Sequence, residues 1–221
     1  MMRAKPCPLP VFRRLGFTLL SVAPGIILLG CLSACHPDVS KALRPIDVKA
    51  NPAAHGGNTI SYRFSGLPAA VRLSGAELHF EVGTRECVPI DYGRALGGVR
   101  LPPRYALPAP AWLSPDGALM VEVPEDALID EDYFGLGKCR WVLQSVSLPF
   151  ASENARFVAS VSADQILAGK DLVFHYLVSD CTSGGVEHLA VIFGEPPGFY
   201  PDDKPQFSLK VSIGNGPAEG R

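Results

Sequence analysis

Apolar and polar residues alternate with a period of two through much of this chain, the pattern of strands with one buried face and one wet face. Ile60, Tyr62 and Phe64 alternate with Thr59, Ser61 and Arg63. Ala76, Leu78, Phe80 and Val82 alternate with Glu77, His79 and Glu81, the cleanest run of this kind. The same pattern predicts strands at 119–123, from Trp141 through Leu143, at 157–161, at 172–178 and at 207–213. Residues 186–193 are almost continuously apolar around His188, which predicts a central strand covered on both faces.

Helix is scarce. Ser162 and Gln165 have the spacing of a capping box and predict a turn or two of helix closing at Gly169. A second short helical turn is expected to open at Pro124. Residues 86–117 carry Pro89, Pro102, Pro103, Pro108, Pro110 and Pro115 among Tyr92, Tyr105 and Trp112, and read as one long loop. Residues 194–206 read as another, with Phe199 and Tyr200 in a stretch too rich in proline for a central strand. With 21 prolines and 22 glycines, the expectation is an all-β, mainly antiparallel β-sandwich of about eight strands over residues 58–213, followed by a disordered tail at 214–221. Trp141 follows Cys139 by two positions, so the immunoglobulin Cys…Trp…Cys spacing is absent.

The first 34 residues follow a different rule. Arg3, Lys5, Arg13 and Arg14 precede an apolar run from Leu15 to Leu32, and no acidic residue appears before Asp38. A basic segment followed by an apolar one is the architecture of a signal peptide. Pro24-Gly25 in its middle disfavours a lasting membrane-spanning helix. The run ends in Leu32-Ser33-Ala34-Cys35, which resembles the lipobox of bacterial lipoprotein precursors. The resemblance implies acylation of the Cys35 thiol, cleavage before Cys35, and membrane attachment through that lipid. Leu28-Leu29-Gly30-Cys31 fits the same pattern less well because Leu29 is large. In Gram-negative families an aspartate after the lipidated cysteine retains the protein on the inner membrane. His36 stands there, so the resemblance implies the outer membrane, facing the periplasm. Residues 35–57 are then expected to be the lipidated cysteine and a flexible tether, with Pro37, Pro45, Pro52 and Gly56-Gly57.

Loss of the signal peptide changes the charge. Residues 1–34 hold four basic residues, so of the chain's 20 basic and 22 acidic residues the part from Cys35 onward keeps a net charge of about −6. Such a domain repels nucleic-acid phosphates, and no nucleic-acid partner is expected. Cys87, Cys139 and Cys181 follow Cys35, and an oxidising compartment favours one disulfide and one thiol. Loop-closure entropy is worth roughly 4 kcal/mol for either the 87–139 or the 139–181 pairing and does not choose between them. Strand direction lets Cys139 meet either partner. Cys87–Cys139 is the pair expected here, with Cys181 a buried thiol.

Enzyme signatures are mostly missing: there is no nucleophile elbow, zinc-protease helix, phosphate loop or dinucleotide fingerprint. His79 between Glu77 and Glu81 reads as a solvent-facing polar stripe. His175, Cys181 and His188 match no metal motif, and Asp126, Asp130 and Asp132 lack the calcium-loop pattern. No catalytic residue, metal or cofactor is expected. The aromatic and acidic loops are better candidates, because Tyr and Trp dominate binding hot spots and acids beside them steer a basic partner. The expected partner-binding residues are Asp130, Asp132, Tyr133, Phe134, Phe199 and Tyr200.

The run Asp130-Glu131-Asp132-Tyr133-Phe134-Gly135-Leu136-Gly137-Lys138-Cys139-Arg140-Trp141 resembles a segment of small proteobacterial lipoproteins, some of which serve as immunity proteins for type VI secretion effectors. The resemblance extends loosely over residues 58–180, includes Cys139 and Trp141, and implies a structural disulfide at Cys139. It carries no toxin-contact residues. The expected function is a lipoprotein of the outer membrane that binds a protein partner and performs no catalysis, most concretely an immunity protein that occludes an envelope-targeting toxin such as a phospholipase. The alternative is a structural or assembly lipoprotein of an envelope or secretion machine.

Overall fold

Side chains that alternate in the sequence sort onto two faces when the strands pair, and here the apolar faces of two sheets meet. The computed structural model describes residues 46–54, 57–95, 97–182 and 191–215, all inside one compact unit, Val39–Arg221. The signal segment with its lipobox, Cys35, His36, His188 and the tail from residue 216 lie outside the described residues. The strands are β1 (Asn58–Ser65), β2 (Arg72–Leu73), β3 (Glu77–Val82), β4 (Ile90–Asp91), β5 (Val99–Arg100), β6 (Arg104–Pro108), β7 (Ala111–Leu113), β8 (Leu119–Val123), β9 (Trp141–Ala151), β10 (Arg156–Ser162), β11 (Leu172–Leu177), β12 (Val191–Phe193) and β13 (Gln206–Asn215). Two short helices, α1 (Ala163–Ala168) and α2 (Val178–Thr182), flank β11.

The fold is an all-β, largely antiparallel sandwich, as expected. One sheet has the order β11-β13-β1-β8-β7, and the other the order β12-β10-β9-β3-β6 with β2 also paired to β9. Ile60, Tyr62, Val121, Tyr176, Phe207, Leu209 and Val211 face inward from the first sheet, and Leu78, Phe80, Val146, Leu148, Phe150, Phe157 and Val161 from the second. Phe150 is the hub. It stacks on Phe157 at 5.2 Å and meets Phe64, Tyr176 and Phe207 of the opposite sheet edge-on, at 5.3, 5.2 and 6.3 Å. Edge-to-face and offset contacts of this kind suit the ring quadrupole and add to the apolar burial.

One polar atom in this core is left over. The Tyr62 hydroxyl is buried and has no hydrogen-bond partner among the described residues, whereas that of Tyr176 donates to the Val158 carbonyl at 3.1 Å. Burial also pushes the Tyr62 pKa up. An unsatisfied buried hydroxyl costs on the order of 1–3 kcal/mol. Tyr62→Phe is therefore expected to raise stability by about 1 kcal/mol, read as a higher urea midpoint at unchanged slope. A lower midpoint would show that the hydroxyl is bonded.

Several sequence expectations need correction. The loop expected over 86–117 contains a one-turn 3-10 helix at Arg85–Cys87, the small β4–β5 pair, and the strands β6 and β7. The prolines hid them. β6 and β7 are edge strands, where a proline need not donate to a ladder, and Pro108 ends β6. The apolar run at 186–193 predicted a central strand; its described part, β12, is an edge strand parallel to β10, with Val191 and Phe193 turned outward. Pro124 leads into a turn at 125–126 and not a helix, and the strand expected to run through Val178 gives way there to α2. The capping box does open α1: the Ser162 hydroxyl accepts from Gln165 N, the Gln165 side chain accepts from Ser162 N, and Gly169 closes the helix at φ 61°.

Residues 46–54, expected within a flexible tether, are held against the sandwich. Asn51 N donates to Ala127 O, Ile129 N donates to Lys49 O, and the Lys49 ammonium pairs with Glu131 at 2.9 Å. Ile46 and Val48 pack on the core.

Both side margins of the sandwich are crossed by continuous chain. After β6, Ala109 N still bonds Ala76 O of the second sheet, and the next carbonyl, Pro110 O, accepts from Glu122 N of the first. On the opposite margin, β12 pairs with β10, and two residues later Glu195 exchanges both backbone hydrogen bonds with His175 of β11. Gly194 lies between, where a β-carbon would come within 2.6 Å of Phe174 Cβ and the Tyr176 hydroxyl, so only glycine lets the chain pass this close.

Candidate functional site

The residues expected to bind a partner fall into two groups at opposite ends of β9. Tyr133 packs edge-on against Trp141, the first residue of β9, at 6.0 Å. Tyr200 lies beside Tyr176, which touches Phe150 near the last residue of the same strand. Eleven residues of strand separate the groups by roughly 30 Å. They do not form one surface.

The first group is largely engaged within its own loop and against the sandwich, with Asp132 exposed. Asp130 Oδ1 accepts from Trp141 N at 2.9 Å, and Asp132 Oδ1 accepts from Leu136 N at 3.0 Å. The Tyr133 hydroxyl donates to Ile129 O and accepts from Trp141 Nε1 at 3.2 Å. Tyr133 and Phe134 both pack on the core. Burial, together with Glu131 and Asp130, pushes the Tyr133 pKa up. The loop is a plug over the disulfide end of the sandwich, where Cys87 and Cys139 are bonded with their α-carbons 5.4 Å apart. Alternation of acids and aromatics gave no sign that the loop's own N–H groups would use these carboxylates. In the second group Phe199 is exposed, meeting Tyr200 edge-on at 5.1 Å, while Tyr200 is half-buried with its pKa raised by burial, Glu195 and Asp180.

The other sequence candidates are likewise dispersed. Asp126 accepts from the Asn51 side chain and shares no ligand position with Asp130 or Asp132. His175 Nδ1 sits 3.1 Å from Gln206 Oε1, and Cys181 is buried, its thiol pKa raised by burial and Asp180. Among the described residues no three His, Cys, Asp or Glu side chains come together as metal ligands would.

A concave surface lies elsewhere, on the outer face of the six-stranded sheet. A groove of about 730 Å³ runs over β3, β9, β10 and β12, and a second of about 520 Å³ adjoins it, sharing His79 and Ser145. His79 Nε2 lies 2.7 Å from the Ser147 hydroxyl, and Glu77 Oε2 lies 3.8 Å from the same nitrogen. A nucleophilic relay needs the carboxylate on the other ring nitrogen, holding the base towards the serine. Ser147 also sits mid-strand, its backbone between Ser160 of β10 and Glu77 of β3, away from any helix start that would supply free N–H groups to an oxyanion. These groups form a fixed polar patch. Beside it a bulge between His79 and Phe80 shifts the β3–β9 register, and Arg104 pairs with Glu81 at 2.6 Å on the rim of the smaller groove.

Comparison with protein-family models, characterised proteins and solved structures finds no match to this chain. The geometry itself is therefore what bears on function. At the far end of the larger groove from His79, Val191 and Phe193 stand 48% and 61% exposed over Val158 and Pro149. Sequence reasoning missed this surface because a nearly continuous apolar run reads as doubly buried. The available signal was its neighbour: Val158 and Ser160 alternate with the buried Phe157, Ala159 and Val161, which marks one face of β10 as open.

Proposed function

We propose that this chain is a lipoprotein of the cell envelope, anchored through lipid on Cys35, whose β-sandwich binds a protein partner and performs no chemistry of its own. The observation that carries the reading is the outer-sheet groove, with the exposed pair Val191 and Phe193 at one end and the Ser147–His79–Glu77 set at the other. Exposed apolar side chains gathered on one face and rimmed by polar groups mark an interaction surface. The lipobox supports the anchor, and His36 directly after Cys35 supports the periplasmic face of the outer membrane. The resemblance of 130–141 to immunity lipoproteins supports, as the most concrete partner, an envelope-targeting toxin such as a phospholipase, inhibited by occlusion. The net charge of about −6 from Cys35 onward favours a basic partner at long range.

The test is capture from envelope extract by the full-length lipidated chain, with Cys35→Ser as the anchor control. Cys35→Ser is expected to abolish incorporation of labelled fatty acid. The wild-type chain is expected to retain one stoichiometric partner whose toxicity in the periplasm it suppresses, and Phe193→Ser to weaken that capture. A stable set of secretion or envelope-assembly components in its place would assign the chain to an assembly role.

A further inference from the structure

The pairing register fixes which side chains share the outer face of the six-stranded sheet, because directly opposed residues point to the same side. Arg156 stands opposite Ala151 of β9 and Val191 of β12, and Arg72 stands opposite Ala151 from the other flank. Val191, Arg156, Ala151 and Arg72 therefore form one row. The next outward row, two residues along, is Phe193, Val158 and Pro149. After it come Ser160, Ser147 and Glu77. The face passes from two cations flanking an alanine, across an apolar floor, to hydroxyl and imidazole groups.

Neither arginine has a carboxylate at ion-pair distance among the described residues; Lys170 and others also lack one, but Arg72 and Arg156 are set apart by flanking one alanine in the same row. Two strand spacings put their backbones roughly 10 Å apart, a gap that two arginine side chains close over a residue as small as alanine. Guanidinium groups bind carboxylates through paired hydrogen bonds, which a lysine cannot do.

We infer that this face receives an acidic, apolar-flanked peptide segment of a protein partner, a local contact on a partner that is basic overall. Its carboxylate sits over Ala151 between Arg72 and Arg156, and the adjoining apolar side chain lies on Val158, Pro149 and Phe193. This rests on the reading of the chain as a protein-binding module and names the chemistry of the contact. The groove's concavity favours a peptide over a membrane surface. A bilayer presents a plane, which reaches the rim, whereas an extended chain brings its own N–H and C=O groups down to Ser147 and His79.

The test uses the full chain in detergent micelles, panned against displayed random twelve-residue peptides, with recovered sequences measured by fluorescence anisotropy. Recovered peptides are expected to carry Asp or Glu next to a large apolar residue. Affinity is expected to fall about tenfold or more in the Arg72→Gln/Arg156→Gln double variant and to fall in Phe193→Ser. It should hold in Lys170→Gln, with all variants checked for unchanged melting. Peptides without carboxylates, or equal binding by the double variant, would overturn the inference. So would arginine-dependent binding to phosphatidylglycerol vesicles with no peptide selected, which assigns the face to lipid. If the double variant still retains the partner captured from envelope extract, the groove assignment falls while the binding function stands.

Discussion

Replacing Cys87 and Cys139 together by serine is expected to lower the stability of the domain by about 4 kcal/mol. The bond spans 52 residues of sequence, and that segment includes β4 to β8. Without it, the unfolded chain regains the freedom of a long loop. The folded state loses as well, because both positions are buried, 1% and 0% exposed, and serine would place hydroxyls there. A domain of this kind has roughly 5–15 kcal/mol to lose, so the variant should be marginal at body temperature. Urea unfolding of the wild type with and without reductant, beside the double variant, measures the effect. The double variant should lose somewhat more than reduction does, because reduction leaves thiols where the variant buries hydroxyls. A loss below about 1 kcal/mol would mean that residual structure already confines the unfolded loop.

Phe150→Ala is expected to cost a similar amount, about 4 kcal/mol. Its ring touches Phe64, Phe157, Tyr176 and Phe207, so truncation opens a cavity between the two sheets instead of at one margin. Those neighbours are themselves held in two ladders, which limits how far they can collapse into the gap. The same substitution at Phe199, more than half exposed in its loop, should cost well under 1 kcal/mol. Thermal unfolding of the two variants side by side gives the contrast. Combining Phe150→Ala with Phe207→Ala should cost less than the sum, since both remove the same contact. Equal effects at positions 150 and 199 would contradict the placement of the hub.

The sandwich was legible in the sequence because period-two alternation survives wherever one face of a strand is buried, as in β1, β3, β10 and β13. It failed at the margins for two physical reasons. Prolines are compatible with edge strands, so their density concealed β6 and β7. A nearly continuous apolar run does not distinguish a doubly buried strand from one whose outer face floors a groove, so the pattern puts β12 in the centre. The expected disulfide was found where strand direction allowed it, although direction alone left Cys181 open. The expected binding residues illustrate a different limit. The sequence shows that Asp130 and Tyr133 are near each other, but not that Trp141 supplies hydrogen-bond donors to both. The row of Arg72, Ala151 and Arg156 could not be read at all before the strands were in register, because its members come from three strands.

The two chain crossings at the sandwich margins bear on how many copies of this protein a membrane could carry. Lipid anchoring, as proposed, would confine the molecules to a plane and raise their encounter frequency far above that in free solution. Sheets with open edges would then recruit one another, strand by strand. Here the edge strands β6 and β7 are short, and the chain passes from one sheet to the other at Ala109–Pro110 on one side and across Gly194 on the other. Dense lateral packing would thus remain reversible.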